Sequence, residues 1–178
     1  MSVVSSGSHW EVIGGFIQDE GQLQQAGAQA LRIALGANRE AVQPVAGFGH
    51  KIGVSKIAME QLRLDSHAEH FTELIQIFDR ARQAIGSDTS DAYLNFFATF
   101  GTTGEHRDKI GEETLAVSLA GEGLAKIQDP ETGEWGEFHL SPGDALYFDN
   151  NNAAEVARPL HVVTNTGVNH RISMAINF

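Results

Sequence analysis

The first half of the chain contains two stretches in which apolar residues recur every three or four positions, as on one face of a helix. Asp19 is placed to cap a helix that runs to about Leu35. The apolar stripe of this helix consists of Leu23, Ala26, Ala30, Leu31 and Ala34. Asp65 or Ser66 caps a second predicted helix, which extends to about Ile85. Its buried face is expected to consist of Phe71, Leu74, Ile75 and Phe78.

The segments outside these helices are predicted to be extended or irregular. Residues 10–18 indicate a short strand that enters the fold. Residues 42–59 are rich in glycine and then β-like, which favours a strand together with a mobile loop. Residues 1–8 are small and polar, and we expect them to be flexible.

From Asp91 onward the pattern changes to short apolar runs separated by Gly, Pro, Asn and Asp. The runs are DAYLNFFATF, ETLAVSLAGE, GLAKIQD, GEFHL, ALYFDN, LHVVTNTG and HRISMAINF. Short strands at this spacing are typical of a sandwich or barrel. We therefore predict a mainly β fold with N-terminal helices: a double-stranded β-helix, or cupin-like jelly roll, with two helices packed on one sheet. Residues 1–178 are expected to form a single domain, in which residues 91–178 are the jelly-roll core and residues 1–90 support it.

Composition narrows the range of partners. The chain has 178 residues and a formal net charge of −11, with only 12 Lys and Arg. Nucleic-acid binding depends on many cationic side chains, so this charge argues against DNA and RNA, and it also disfavours anionic membranes. No apolar run is long enough to span a bilayer. Cysteine is absent, which excludes disulfides and thiolate sites and fits a cytoplasmic location.

The residues suited to chemistry are concentrated in the second half of the chain. His106 and Asp108 lie in GEHRDK, and His161 lies in PLHVVTNTG. Two histidines and one carboxylate are the ligand set of a facial triad that holds non-haem Fe(II). Side chains two apart on an extended segment share a face, so the first two residues could reach one metal. Arg171 and Ser173, in the last predicted strand, offer donors suited to a carboxylate.

Other histidines fit a metal site less well. Residues 9–11 and 67–69 repeat the His-x-carboxylate pattern. Residues 9–11 lie near the terminus, and no second histidine is placed to complete a site with them. Residues 67–69 lie in a helical pattern, in which side chains two positions apart point to different faces. His139 is interpreted as a strand residue without a partner. His170 has the opposite parity to Arg171 and is expected to point away from the site.

The order His-x-Asp, a long gap, His and then Arg-x-Ser resembles the 2-oxoglutarate- and Fe(II)-dependent oxygenase (dioxygenase) superfamily over about residues 91–178. The resemblance implies that His106, Asp108 and His161 bind Fe(II), with 2-oxoglutarate and O2 as co-substrates. Release of succinate and CO2 would accompany hydroxylation of an unactivated C–H bond, the default outcome when the carboxylate ligand is present. The expected substrate is a small molecule such as a free amino acid or metabolite, and a peptidyl or protein side chain is the second choice.

The resemblance also assigns the co-substrate's contacts. Arg171 would form a bidentate pair with the distal carboxylate of 2-oxoglutarate, and Ser173 would add a hydroxyl donor. Asn95 lies eleven residues before His106, where some branches of the superfamily place an amide that contacts the co-substrate. Tyr93 shares a strand face with Asn95 and is expected to line the same pocket.

A non-oxygenase jelly-roll protein of the cupin type, either a metal isomerase or a sugar-binding module, stays open as an alternative. Cupins typically add ligands near the first pair, and Glu112 and Glu113 are close enough in sequence to serve. Arg107, Lys109, Trp135 and residues 47–51 are further elements that could lie on the substrate side. The glycine-rich GFGHKIG lacks the spacing of a phosphate-binding loop. The sequence assigns no oligomeric state.

Overall fold

The computed structural model describes residues 2–36, 43–44, 52–58, 68–86, 91–109, 111–151 and 158–178. The strands are β1 (Ser2–Gly7), β2 (Trp10–Gly14), β3 (Gln43–Pro44), β4 (Ile52–Ala58), β5 (Asp91–Thr102), β6 (Glu113–Ala120), β7 (Gly123–Gln128), β8 (Trp135–Leu140), β9 (Ala145–Asp149), β10 (Leu160–Asn165) and β11 (Arg171–Asn177). The helices are α1 (Glu20–Gly36) and α2 (Thr72–Ile85), and a 3-10 turn, Ala68–Phe71, precedes α2. Within these ranges, neither helix has the length and apolar content that a membrane span requires.

The strands form one curled antiparallel sheet whose two walls face each other. Their order along the sheet is β1-β2-β9-β6-β11-β5-β10-β7-β8, and β4 pairs with β5 and β3. β5 connects the walls because it is long: residues 91–97 pair with β11, whereas Thr102 pairs with Thr164 of β10. The predicted mainly β jelly roll, with two helices on one sheet, is confirmed.

Alternation along β11 assigns its side chains to two different interiors. Ile172, Met174 and Ile176 belong to the apolar core between the sheet and the helices. Fully burying a side chain of this size contributes about 1.5–3 kcal/mol. Arg171 and Ser173 point the other way, into the space between the walls. The helices therefore stabilise one face of the sheet and leave the opposite face available for a site.

α1 begins as predicted, whereas the predicted start of the second helix is not tested. Asp19 Oδ1 accepts a hydrogen bond from Gln22 N at 3.0 Å, so it caps α1. The α-helical part of the second element begins at Thr72, and the predicted cap at residues 65–66 lies outside the described residues.

A contact between the helices, rather than a local cap, accounts for the start of α2. No side chain caps α2 at its own N-terminus, but Gln29 Oε1 of α1 accepts from Leu74 N at 3.1 Å. The buried face of α2 consists of Leu74, Ile77, Phe78 and Ala81. The prediction was therefore wrong for Phe71 and Ile75, which are only half-buried.

The expectation of a flexible N-terminal segment was wrong for residues 2–7. They form β1, which pairs antiparallel with β2. β2 carries the buried side chains of Trp10 and Val12, and one of its backbone edges pairs with β9. β1 supplies hydrogen bonds to the other edge, an effect that composition alone does not reveal.

Candidate metal and anion site

A cavity of about 160 Å³ lies between the two walls of the jelly roll. Inward side chains of β4, β5, β6, β9, β10 and β11 line it, together with the loop after β5. All seven residues that the sequence proposes for the site are in this lining: Tyr93, Asn95, His106, Asp108, His161, Arg171 and Ser173. The structure thus brings together residues from three separate parts of the chain.

A β-bridge brings the two histidines of the proposed triad together. His106 N donates to His161 O at 3.0 Å, and His161 N donates to His106 O at 2.9 Å. This pairing joins the loop after β5 to the start of β10. Asp108 follows two positions after the bridge, so its side chain reaches the same side.

The three side chains present their ligand atoms to one point. Asp108 Oδ1 lies 3.7 Å from His106 Nε2, and its Oδ2 lies 3.8 Å from His161 Nε2. The ligand atoms all lie within 4.8 Å of one another. At this spacing, small side-chain movements would let one divalent ion contact all three side chains.

Backbone carbonyls fix the orientation of both imidazoles. His106 Nδ1 lies 3.0 Å from Gly104 O, and His161 Nδ1 lies 3.2 Å from Pro159 O. A carbonyl can only accept, so each Nδ1 is placed to donate, and each Nε2 faces Asp108. This second contact is typical of metal-binding histidines, and the donor set therefore fits a divalent ion.

The histidines differ in burial. His161 is buried, and its ring stacks on Phe148 with centroids 4.2 Å apart and an interplanar angle of 16°. His106 and Asp108 are half-buried, so the point on which the ligand atoms converge lies between the barrel interior and its mouth.

Two arginines hold the loop that carries Asp108. Arg158 Nη1 donates to the backbone oxygen of Asp108, and Arg107 Nε donates to Arg158 O at 3.0 Å. Arg107 therefore hydrogen-bonds to a backbone carbonyl and is not part of the cavity lining. Sequence reasoning missed Arg158, because no local pattern links it to a loop 50 positions earlier.

Arg171 is a buried cation whose hydrogen-bonding capacity is mostly unused. It is 2% exposed, and its Nη2 donates to Ser118 Oγ at 2.9 Å. Its buried Nε and Nη1 have no hydrogen-bond partner. Burial lowers the pKa of the guanidinium from its ordinary value to about 10, and the charge of Glu122 offsets part of this effect. Arg171 therefore stays cationic near neutral pH and lacks an anion, which a ligand carboxylate could supply.

Close packing holds this guanidinium in place. Its central carbon lies 4.9 Å from the centroid of the Phe97 ring. On the other side, a Cβ added to Gly123 would lie 2.6 Å from Arg171 Nε, so only glycine leaves room there. Ser118 and Gly123 were not predicted, because their roles depend on pairings between distant strands.

The remaining predicted residues lie along adjacent strands. Ser173 of β11 pairs with Asn95 of β5, which pairs in turn with Lys56 of β4. Lys56 Nζ lies 3.4 Å from the centroid of the Tyr93 ring, and both residues line the cavity. Lys56 was also missed from the sequence, since it falls in a segment interpreted as strand and loop.

Several other candidates have different contacts. His9 Nδ1 lies 3.6 Å from Asp149 Oδ2, and His139 and His170 are exposed. Exposure of His170 agrees with its predicted outward direction. Trp135 begins the edge strand β8, away from the cavity lining. Residues 47–51 and 67 lie outside the described residues.

The acidic residues proposed for the cupin alternative are engaged elsewhere. Glu112 Oε1 accepts from Lys109 Nζ at 2.9 Å, and Glu113 Oε2 accepts from Tyr147 Oη at 2.9 Å. Lys109 is exposed. Over the described ranges, only His106, Asp108 and His161 form a cluster placed to hold a metal.

No family model matches this sequence, and no curated protein is significantly similar to it. Solved structures do resemble it. A prolyl-4-hydroxylase from Pseudomonas putida has a TM-score of 0.64 and 13% identity, over 96% of this chain and 92% of that chain. A prolyl hydroxylase from Trichoplax adhaerens, in complex with a hypoxia inducible factor peptide fragment, has a TM-score of 0.66 and 12% identity. The match covers 95% of this chain and 82% of that chain. The non-haem alpha-ketoglutarate-dependent epimerase SnoN from nogalamycin biosynthesis has a TM-score of 0.64 and 16% identity. The match covers 96% of this chain and 77% of that chain.

At these identities the likeness concerns the fold. The chain has the jelly roll of the prolyl hydroxylases and of the alpha-ketoglutarate-dependent epimerase, and the His-Asp-His cluster lies inside it. The resemblance to the 2-oxoglutarate- and Fe(II)-dependent oxygenase superfamily is thereby confirmed at the level of the fold.

Proposed function

We propose that this protein is an Fe(II)- and 2-oxoglutarate-dependent oxygenase that hydroxylates an unactivated C–H bond of a small molecule. One observation carries the proposal: a triad of metal-ligating side chains and a buried arginine without an anion line the same cavity. A metal site alone would fit many enzymes. The buried guanidinium, with no hydrogen-bond partner on Nε or Nη1, adds a site suited to a carboxylate, and 2-oxoglutarate has one to offer.

In this proposal His106, Asp108 and His161 hold the metal. Neutral imidazoles and one carboxylate suit Fe(II), although Mn, Co, Ni and Zn also accept such ligands. Gly104 and Pro159 support the assignment, because their carbonyls contact each ring at Nδ1 and leave Nε2 as the nitrogen that faces Asp108.

Arg171 is proposed to bind the distal carboxylate of 2-oxoglutarate through its guanidinium, whose Nη1 has no hydrogen-bond partner. Ser173 and Asn95 are proposed to add polar contacts on adjacent strands, and Tyr93 to line the same pocket. Arg171 contacts β7 at Gly123, whereas His161 pairs with Ile127 of the same strand. Gly123 and Ile127 are four residues apart on β7, so the metal and the guanidinium would lie at different levels of the barrel and hold different parts of a ligand.

Fe(II) together with 2-oxoglutarate and O2 would supply the oxidising chemistry, with one oxygen atom going to succinate beside CO2 and the other to the hydroxylated product. The chain itself orients the reactants and excludes water. Leu146, Phe148 and Val163 form an apolar part of the lining, which suits that role.

A free amino acid or small metabolite is the proposed substrate class, and a peptidyl or protein side chain is the alternative. The similar solved structures include both kinds of enzyme, namely prolyl hydroxylases and a biosynthetic epimerase. The cytoplasmic location stays a prediction, and so does the single-domain organisation of residues 1–178.

Succinate formation tests this function. The Fe(II)-loaded protein is incubated with 2-oxoglutarate, O2 and a metabolite panel, and succinate and product mass are measured together. We expect one compound class to raise succinate and to gain one oxygen atom, and Asp108→Ala to abolish both signals. Succinate that Asp108→Ala leaves unchanged would contradict the proposal. Lys109→Met is a matched control, since Lys109 is exposed in the same loop.

A further inference from the structure

A hydroxyl and an amide on adjacent strands, Thr114 of β6 and Asn177 of β11, line the cavity that contains the triad and Arg171. The two residues are directly opposite each other in the sheet, and Thr114 Oγ1 donates to Asn177 Oδ1 at 3.3 Å. Thr114 is 6% exposed, and Asn177 is half-buried. The contact therefore holds a neutral polar pair at a fixed place in the cavity wall.

The pair lies at the level of the metal triad and not at the level of Arg171. Thr114 is in register with Phe148 of β9, whose ring stacks on the ring of His161. Arg171 lines the same cavity but is six residues away from Asn177 along β11. A ligand group that contacts the pair is therefore distinct from the carboxylate proposed for Arg171.

The pair has hydrogen-bonding capacity beyond its internal contact. The Thr114 hydroxyl gives its one proton to Asn177 Oδ1, so its oxygen can still accept, and Asn177 Nδ2 can still donate. Within the described part of the chain, neither of these groups has a further hydrogen-bond partner. Rotating the amide by 180° would exchange the roles of the two residues and would again leave one donor and one acceptor.

A donor beside an acceptor matches an amide, which presents a C=O and an N–H side by side. A carboxylate can only accept, so it would set a second acceptor against the Thr114 oxygen. We propose that Thr114 and Asn177 bind a neutral amide group of the primary substrate, beside the metal. This inference rests on the proposed function and specifies its substrate class. The amide could belong to a small carboxamide or to a peptide bond, and the experiment below distinguishes these sources.

Matched amides and acids test the inference. The full chain is loaded with Mn(II), which avoids turnover, and saturated with 2-oxoglutarate. It is then titrated with L-asparagine, L-glutamine, L-prolinamide and nicotinamide, and with the acid that corresponds to each, by ligand-observed NMR and calorimetry. We expect the best amide to bind at least about tenfold more tightly than its acid. N-acetyl amino-acid N-methylamides form a second arm, and tighter binding in that arm would assign the amide to a peptide bond.

Variants of the pair locate the preference for amides. Thr114→Val keeps the shape and removes the hydroxyl, and Asn177→Leu removes the amide, so each should reduce the preference to about twofold or less. Thr114→Ser keeps a hydroxyl and should keep most of the preference. Thr164→Val is the matched control, because Thr164 Oγ1 donates to Thr102 Oγ1 outside the cavity lining. If Thr114→Val fails to fold, Asn177→Leu decides the question.

Three results would overturn the inference: no amide of either arm binds, amides and acids bind equally, or a folded Thr114→Val or Asn177→Leu variant keeps the full amide preference. A loss confined to 2-oxoglutarate affinity in these variants would assign the pair to the co-substrate and would also overturn it. Failure of the proposed function has a different signature, because the unmodified protein would then not bind 2-oxoglutarate at all.

Discussion

Replacing Arg171 by methionine should separate ligand binding from stability. Burial lowers the pKa of this guanidinium from its ordinary value to about 10, and about 1.4 kcal/mol per pKa unit makes the cost of the buried charge roughly 3 kcal/mol. Because the folded pKa is the lower one, this destabilisation is fully present below about pH 10. The charged hydrogen bond from Arg171 to Ser118 Oγ opposes this destabilisation and contributes about 1.5–3 kcal/mol.

The two terms nearly cancel, so Arg171→Met should change the free energy of unfolding by no more than about 1.5 kcal/mol. That corresponds to a Tm change within roughly 5 °C for a chain of this size. Breaking a buried ion pair would instead cost about 3–5 kcal/mol. The absence of a hydrogen-bond partner on Nε and Nη1 is what distinguishes the two cases.

Ligand binding should respond in the opposite way. With Mn(II) present, 2-oxoglutarate at 100 times its Kd should stabilise the unmodified protein by about 2.7 kcal/mol, or roughly 5–10 °C. If Arg171→Met weakens binding about thirtyfold, the same concentration gives about 0.9 kcal/mol, or roughly 2–4 °C. Arg171→Lys should be intermediate, because it keeps the charge but loses the fork.

Thermal unfolding with and without 2-oxoglutarate measures both quantities. The reasoning is refuted if Arg171→Met costs more than about 3 kcal/mol without ligand, since that would mean an ordinary buried ion pair. It is equally refuted if the variant keeps the full 2-oxoglutarate-induced rise in Tm. Ser173→Ala should show a smaller reduction of that rise than Arg171→Met.

Further variants probe the metal and the surroundings of the guanidinium. Asp108→Ala should weaken Mn(II) binding at least about tenfold by calorimetry with little change in Tm of the metal-free protein, and unchanged affinity would remove Asp108 from the ligand set. Gly123→Ala would place a Cβ 2.6 Å from Arg171 Nε, so the affinity for 2-oxoglutarate should fall while the affinity for Mn(II) stays unchanged. Gly167→Ala is its control, because the atom nearest to the added Cβ there is 3.5 Å away. Arg158→Gln should weaken Mn(II) binding several-fold by loosening the Asp108 backbone, and an unaffected Mn(II) Kd would show that this contact does not position the ligand.

Strand alternation is the part of the site that sequence reasoning reached most directly. A period of two fixes which side chains of one strand share a face, so Arg171 and Ser173 were expected on the same side, as were Tyr93 and Asn95. Those four line one cavity in the structure. Their roles in co-substrate binding stay predictions.

Features that depend on pairing between distant segments could not be read in the same way. Ser118 meets Arg171 because β6 pairs with β11, and Lys56 reaches Tyr93 because β4 pairs with β5. The start of α2 depends on Gln29 of α1. Local pattern carries no information on such contacts until the register of the sheet is known.

The central claim is that the metal triad and Arg171 together bind 2-oxoglutarate on Fe(II). Anaerobic titration of the Fe(II)-loaded protein with 2-oxoglutarate, followed by visible absorption, tests it most directly. The proposed function predicts a weak charge-transfer band that saturates with 2-oxoglutarate, is absent in His106→Ala, and needs a much higher concentration in Arg171→Met. Fe(II) bound without any such band, or a band whose midpoint Arg171→Met leaves unchanged, would contradict the claim.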